Sequence, residues 1–184
     1  SHDGALVARI SPFDPTGPFT AELYDRAAAT GLVPRVTQHT RLEGGGDLLV
    51  MEYLEQASAE EAQRFLADLA SGAPQLRELA AIVRRVHASA VDSLPWCGPL
   101  DTNPANVMQR GDGKSVLTDP FYADGPNLYA AALHEPVRVA RAIPPDERRY
   151  LAEIPLTASG PWGGDEQERL RDALRSADEL LQAE

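Results

Sequence analysis

Two aspartates and an asparagine have the types and the spacing that could serve phosphoryl transfer. Asp101 and Asn106 share the loop 99–108, PLDTNPANVM, and Asp119 follows the next predicted hairpin. Moving a γ-phosphoryl group requires a carboxylate at the accepting hydroxyl and oxygen ligands that hold Mg²⁺ on the phosphates. These three side chains supply that set, although Asp, Asn, Thr and Pro are also the residues that any tight loop favours.

Other stretches that could do chemistry have simpler interpretations. GDGKS over 111–115 resembles the end of a Walker A loop, but the glycine that this motif needs at position 108 is a methionine. We therefore predict a turn between strands there, and a hairpin turn at the glycines 44–46. No G-x-S-x-G motif supports a hydrolase. The histidines stand too far apart for a metal site (His39, His87 and His134).

Composition and charge exclude several classes of partner. The chain has 184 residues, enough for one domain, and a formal net charge of -11. That charge argues against binding nucleic acid or an anionic membrane, and it leaves cationic substrates or a basic patch on a partner protein. The lone cysteine, Cys97, excludes an internal disulfide framework and suits a reducing compartment. No apolar run approaches the ~20 residues of a membrane span.

Apolar periodicity and turn residues predict an α+β fold with its strands near the front of the chain. Strands are predicted over 5–10, 35–43, 47–54, 107–109 and 115–118. Helices are predicted over 20–30, 59–70, 75–91, 126–134, 136–142, 145–153 and 165–183. Ser58, with acids shortly after it, is typical of a helix N-terminus, and the helix over 75–91 has the clearest apolar stripe.

The loop and its surroundings resemble the protein kinase and aminoglycoside phosphotransferase superfamily. The family's catalytic loop reads D-x-K-P-x-N, and this chain has DTNPAN over 101–106. In the family a hairpin then leads to a metal-binding aspartate, and VMQRGDGKSVLTDPF places Asp119 at the matching separation. The stretch LLVMEYLE is similar to the strand that enters the family's hinge. The resemblance covers residues 6–124.

This resemblance implies a reduced protein-kinase-like fold and assigns roles within it. A small antiparallel β N-lobe would cover residues 1–55, and a mainly helical C-lobe would cover residues 56–184. Asp101 would be the catalytic base, and Asn106 and Asp119 would hold Mg²⁺ for ATP. The backbone of Glu52, Tyr53 and Leu54 would bind the adenine ring.

The family's phosphate-binding lysine has no direct counterpart in this chain. Lys114 is the only lysine and lies in the distal turn of a predicted hairpin, so Arg9 is the candidate that would touch the phosphates. Arg9 would pair with Glu22 of the following helix, or with Asp25. Arginine presents a planar fork where lysine presents a point charge, so the exchange is not neutral.

Several other positions of this chain differ from the family's motifs. Pro99 and Leu100 stand where the family has His-Arg or His-Gly, and Asn103 stands where protein kinases have a lysine. No glycine-rich nucleotide loop precedes the first predicted strand, and no A-P-E motif follows Asp119. The compact C-terminal part therefore resembles minimal bacterial effector kinases more than full-length antibiotic kinases.

The leading hypothesis is an ATP- and Mg²⁺-dependent kinase that phosphorylates a protein Ser or Thr hydroxyl. Its expected location is the bacterial cytoplasm, or another cell into which it is delivered as an effector. A small-molecule kinase of the aminoglycoside type is the first alternative, since an acidic surface suits a polycationic substrate. The second is an inactive pseudokinase that serves as a binding module. The sequence leaves the acceptor and the oligomeric state open.

Overall fold

The chain folds into an α+β arrangement of short antiparallel sheets and helices, as its sequence predicts. The structure is a computed structural model that describes residues 6–156 and 163–183. The strands are β1 Leu6–Ser11, β2 Val36–Leu42, β3 Gly46–Glu52, β4 Glu55–Gln56, β5 Val107–Gln109 and β6 Ser115–Leu117. The helices are α1 Gly17–Ala27, α2 Ala59–Ser71, α3 Arg77–Ser93, α4 Gly125–His134, α5 Pro136–Ala142 and α6 Gly164–Gln182. Within these ranges, no helix is long and apolar enough to cross a membrane.

The first sheet fixes the direction in which Arg9 points. Its strand order is β1-β3-β2, and both pairings are antiparallel, with Arg9 opposite Leu49. Side chains alternate along β1, so that every second residue from Leu6 is exposed and the residues between them are half-buried. Arg9 therefore lies on the inward face of the sheet.

The second sheet fixes both ends of the loop that holds Asp101. It joins β4, β5 and β6 in antiparallel order, and a separate bridge pairs Cys97 with Ala123. The loop 98–106 runs from this bridge to β5, and Asp119 lies between β6 and the bridge. These pairings bring the loop 98–106 and the segment that holds Asp119 together.

Two hydrophobic clusters form the core of the described residues. The first joins α1, β3, α2, α3, β5 and β6, with Leu23, Leu79 and Leu117 fully buried. The second joins α4, α5 and α6 with Phe13 and Trp96. Because the first cluster includes residues on both sides of position 55, the core does not divide at the predicted lobe boundary, and that boundary stays a prediction.

The turn between β2 and β3 packs directly on a segment near the end of α5. Gly44 N donates to Asp146 O at 2.9 Å, and Arg41 Nε donates to Glu147 Oε2 at 2.7 Å. Gly45 has a φ of 89°, and a Cβ at this position would lie 1.8 Å from Glu147 O. The prediction of a hairpin turn at these glycines is confirmed, and the contact explains why the turn has no side chains.

Replacing Gly45 by Ala is expected to destabilise the fold more than the same change at Gly113. Both glycines have positive φ, so each alanine introduces backbone strain of about 1–2 kcal/mol. Only at Gly45 would the new methyl group meet backbone, because no atom lies within 4 Å of a Cβ at Gly113. Urea unfolding of the two variants measures the difference, and equal losses of unfolding free energy would contradict the packing described above.

The predicted helix over 145–153 is wrong. The structure has a single 3₁₀ turn there, Pro145–Glu147, followed by turns. Tertiary contacts hold the segment in turns: Arg148 is drawn inward to donate to Ile143 O at 2.6 Å and to pair with Asp178, and Asp146 O accepts from Gly44 N at 2.9 Å. The remaining predicted elements are present, β5 and α5 with the predicted ends and the others with shifted ends. Position 5 of the first predicted strand lies outside the described residues.

Candidate functional site

Asp101 is held in the loop by hydrogen bonds to its backbone and to both carboxylate oxygens. Its N–H donates to Pro120 O at 2.9 Å. Oδ1 accepts from Asn103 N at 2.8 Å, and Oδ2 accepts from Asn106 Nδ2 at 2.8 Å. Each oxygen therefore keeps accepting capacity after these bonds are made, which a group that takes a proton from a hydroxyl requires.

Asn106 joins the segments that carry the two aspartates. Its Nδ2 donates both to Asp101 Oδ2 and, at 3.1 Å, to the backbone oxygen of Asp119. Its own backbone oxygen accepts from Thr118 N at 2.7 Å and from Thr118 Oγ1 at 3.1 Å. Since the amide nitrogen makes both side-chain bonds, Oδ1 has no hydrogen-bond partner within the described ranges. That oxygen is the atom a hard cation would use.

Asp119 adopts a backbone conformation that is uncommon for a residue with a side chain. Its φ is 42°, in the left-handed region, where aspartate is tolerated better than most residues. Its N–H donates to the Tyr24 hydroxyl at 3.3 Å, and its Oδ1 forms an ion pair with Arg9 Nη1. Conformations of this kind recur at functional sites, where the surrounding structure maintains them.

Burial and charge act against each other at the Arg9–Asp119 pair. Burial raises the pKa of Asp119 above its ordinary value, and the neighbouring Arg9 guanidinium opposes that rise. Burial disfavours the charged form of Arg9, yet the Asp119 carboxylate keeps the pKa of Arg9 above its ordinary value. Burial, followed by the charge of Asp119, also raises the pKa of Tyr24, so its hydroxyl stays protonated. Both members of the ion pair remain about one-third exposed.

One cleft contains four of the eight site residues predicted from the sequence. It has a volume of about 930 Å³, at the upper end of the range for small-molecule sites. Arg9, Asp101, Asn106 and Asp119 all line it. The catalytic, metal-binding and phosphate-binding candidates thus lie together, although β1 and the 101–119 region are far apart in the chain.

Asp14 is a charged residue of this cleft that sequence reasoning did not single out. It also lines the cleft, and its carboxylate interacts electrostatically with both Arg9 and Asp119. The available signal was an Asp-x-Thr turn five residues after Arg9, in a segment interpreted only as a rigid proline-rich loop.

The expected partnership between Arg9 and Glu22 is absent, and Arg9 binds Asp119 instead. Glu22 Oε1 accepts from Arg26 Nε at 2.7 Å, one helical turn away. Tyr24 is the α1 residue that reaches Asp119, and residues two positions apart on a helix point in nearly opposite directions. Glu22 and Asp25 line a separate groove of about 690 Å³ between α1 and β2.

The predicted adenine-binding residues stand at the end of β3, outside the lining of the 930 Å³ cleft. Glu52 N donates to Arg35 O at 3.0 Å, so this N–H already has a partner. The Glu52 carboxylate accepts from Arg110 Nε at 2.8 Å. Leu54 is buried, and Tyr53 is partly exposed. A role for Tyr53 and Leu54 in binding adenine stays a prediction, and the Glu52 N–H does not suit it.

The donor atoms present suit magnesium better than a transition metal. No group of three or more His, Cys, Asp or Glu side chains that could hold a metal occurs in the part of the chain that the structure describes. Mg²⁺ is usually held by one or two protein oxygens, with the rest of its shell supplied by water and phosphate. Asp119 and Asn106 provide such a pair.

Comparison with known proteins assigns no family to the chain. No protein-family model matches it, and no curated protein matches its sequence significantly. The resemblance to kinases therefore stays a prediction from the sequence, based on the motif over 101–119 and on the strand that would enter the hinge.

Proposed function

We propose that this protein is a Mg²⁺- and ATP-dependent phosphotransferase. The observation that carries the proposal is the link through Asn106, whose amide nitrogen bonds both the Asp101 carboxylate and the backbone of Asp119. A carboxylate at the acceptor and hard oxygen donors at the metal are what phosphoryl transfer needs. Arg9 adds a cation in the same cleft.

Asp101 would act on the accepting hydroxyl. As the hydroxyl oxygen forms its bond to the γ-phosphorus, the bond from that phosphorus to the leaving oxygen of ADP breaks, and the proton passes to Asp101 Oδ1 or Oδ2. The hydrogen bonds from Asn103 N and Asn106 Nδ2 hold the carboxylate in place during this transfer. A correctly placed base of this kind contributes about 10²–10⁴-fold to a rate.

Asn106 Oδ1 and the Asp119 carboxylate would hold the magnesium ion. Bound Mg²⁺ would neutralise negative charge on the transferred phosphoryl group. Arg9 would donate to phosphate oxygens, since its planar fork matches their geometry. The left-handed backbone of Asp119 and the hydrogen bond to Tyr24 set the position from which its carboxylate enters the cleft.

The proposed acceptor is a Ser or Thr hydroxyl of a protein. A single helix, α2, separates β4 from α3, which leaves little room for the helical insert that forms the acceptor site in aminoglycoside kinases. The net charge of -11 suits a basic region of a partner protein.

A second candidate function is a binding module that lacks catalysis. One observation favours it: the Asp119 carboxylate, needed for the metal, is bonded to Arg9. In a binding module that pair would persist whether or not nucleotide is present.

A thermal-shift titration separates the two functions. ATP with Mg²⁺ is expected to raise the melting temperature, because a ligand at a hundred times its Kd adds about 2.7 kcal/mol to stability. ATP alone and Mg²⁺ alone should each have a much smaller effect, since the phosphates and the metal complete each other's ligands. No shift with the two together would contradict the phosphotransferase and favour the binding module.

A further inference from the structure

Arg9 requires a second anionic partner if Asp119 is to hold a metal. In the structure the guanidinium is bonded to Asp119 Oδ1, and both side chains are only about one-third exposed. A metal ion on the Asp119 carboxylate would take up part of the negative charge that now stabilises Arg9, so the ion pair would weaken. A partly buried guanidinium that loses its partner is costly unless another acceptor takes over.

Asp14 is the carboxylate in a position to take over. It lines the same cleft as Arg9 and Asp119, whereas Glu22 lines the groove between α1 and β2 and is paired with Arg26. The negative charge of Asp14 acts on both members of the pair. It adds to burial in raising the pKa of Asp119, and it adds to Asp119 and Tyr24, which contribute more, in raising the pKa of Arg9.

The backbone of Asp14 is held at both of its polar groups. Its N–H donates to Gly45 O at 2.8 Å, and its carbonyl oxygen accepts from Arg41 Nη1 at 2.9 Å. Arg41 is in turn bonded to Glu147, which belongs to the segment on which the β2–β3 turn packs. The position of Asp14 is therefore set by the hairpin and is not that of a mobile loop residue.

Only one of the two carboxylate oxygens of Asp14 is used locally. Oδ1 accepts from Thr16 N at 3.0 Å and from Thr16 Oγ1 at 2.9 Å, and Thr16 is itself buried. Oδ2 has no hydrogen-bond partner among residues 6–156 and 163–183. A fixed carboxylate with one unused oxygen near a guanidinium is suited to accept a charge-assisted hydrogen bond.

We propose that Asp14 is the positioning residue for Arg9, receiving its guanidinium when the Asp119 carboxylate turns to the metal. The proposal rests on the phosphotransferase function proposed above. Asp14, which lies between β1 and α1, would then pair with Arg9, as the resemblance to kinases had implied for Glu22. Arg9 would then lie between Asp14 and the phosphates, and its charge would remain in the cleft throughout the reaction.

Arginine NMR on the intact chain tests this exchange of partners without nucleotide. Asp119→Asn removes the charge of the first partner, and asparagine tolerates the left-handed backbone there. The ¹⁵Nε–¹H resonance of Arg9 is assigned through its loss in Arg9→Lys. In the Asp119→Asn variant its chemical shift should still differ from that of an exposed arginine. Adding Asp14→Asn should move it to that value, and adding Glu22→Gln, the matched control, should not.

The proposal is overturned if Asp119→Asn alone gives the resonance of an exposed arginine, if adding Asp14→Asn leaves the resonance displaced, or if adding Glu22→Gln moves it as far as Asp14→Asn does. If the Asp14→Asn variant is unfolded, the Arg9 resonance is measured in Asp14→Ser instead, which keeps a short polar side chain beside Thr16. Addition of ATP and Mg²⁺ to the unmodified chain reports separately on the phosphotransferase. An Arg9 resonance unmoved by nucleotide would count against that function, and the variant spectra would still decide the role of Asp14.

Discussion

Asp101→Asn is expected to lower the rate of ADP formation from ATP and Mg²⁺ by about 10²–10⁴-fold, the usual contribution of a general base. Asparagine has nearly the same shape as aspartate but cannot take a proton at neutral pH. Formation of ADP with water as acceptor can be measured without knowing the natural acceptor. The melting temperature should fall only slightly, because one of the bonds from Asn103 N and Asn106 Nδ2 loses its acceptor, at about 1 kcal/mol.

Asp124→Asn is the matched control for this prediction. Asp124 lines the same cleft, but both of its carboxylate oxygens accept hydrogen bonds from Asn127 at the start of α4. Its replacement should leave ADP formation nearly unchanged. A wild-type rate in Asp101→Asn, or equal losses in the two variants, would remove Asp101 from the chemistry.

Arg110→Ala is expected to lower the free energy of unfolding by about 3–5 kcal/mol, the cost of breaking a buried ion pair by removing one partner. Arg110 is 7% exposed, and its guanidinium donates to three groups: Glu52 Oε1 at 2.8 Å, Gly31 O at 2.6 Å and Val33 O at 2.7 Å. Alanine would leave all three without this donor. Urea unfolding measures the loss.

Arg35→Ala tests whether the size of that loss comes from burial. Arg35 also pairs with Glu52, but its Nε lies 3.8 Å from Oε2 and its side chain is 74% exposed. Exposed pairs of this kind contribute less than about 1 kcal/mol. Similar losses in both variants would show that the attachment of Glu52 to the β5–β6 hairpin does not depend on the buried guanidinium.

Local patterns in the sequence predict the elements that depend on local interactions. Ser58 and Glu61 form reciprocal hydrogen bonds at the start of α2, as the Ser-x-x-Glu spacing allows. The apolar stripe over 75–91 becomes α3, with Leu79, Val83 and Val86 buried. The strands around Gly44–Gly46 likewise follow from turn chemistry and alternation. In each case the residues that decide the structure are within a few positions of one another.

Features that depend on distant partners could not be predicted in this way. The segment 145–153 has helical spacing, but its contact with the β2–β3 turn and the inward hydrogen bond of Arg148 hold it in turns. The sequence singles out Arg9 as a phosphate-binding candidate, and Arg9 lines the cleft, but its partner is Asp119, 110 positions away, and not Glu22. Asp14 shows the same limit, since its placement depends on Gly45 and Arg41.

The loop that holds Asp101 and Asn106 depends partly on local spacing and partly on distant partners. The spacing DTNPAN predicts that Asp101 and Asn106 share a loop, and the structure joins them by a 2.8 Å hydrogen bond. That Asp119 comes to the same place was inferred from the resemblance. Its position depends on the β5–β6 hairpin, which the turn residues predict, and on the Cys97–Ala123 bridge, which no local pattern specifies.

In the proposed phosphotransferase, Asp119 helps to hold Mg²⁺ on ATP in the cleft that contains Asp101 and Arg9. The most direct test is the thermal-shift titration with ATP and Mg²⁺, run in parallel on the wild type and on Asp119→Asn. If Asp119 holds the metal, ATP and Mg²⁺ together should raise the melting temperature of the wild type and leave that of the variant nearly unchanged. Equal shifts in both proteins, or no shift in the wild type, would contradict it.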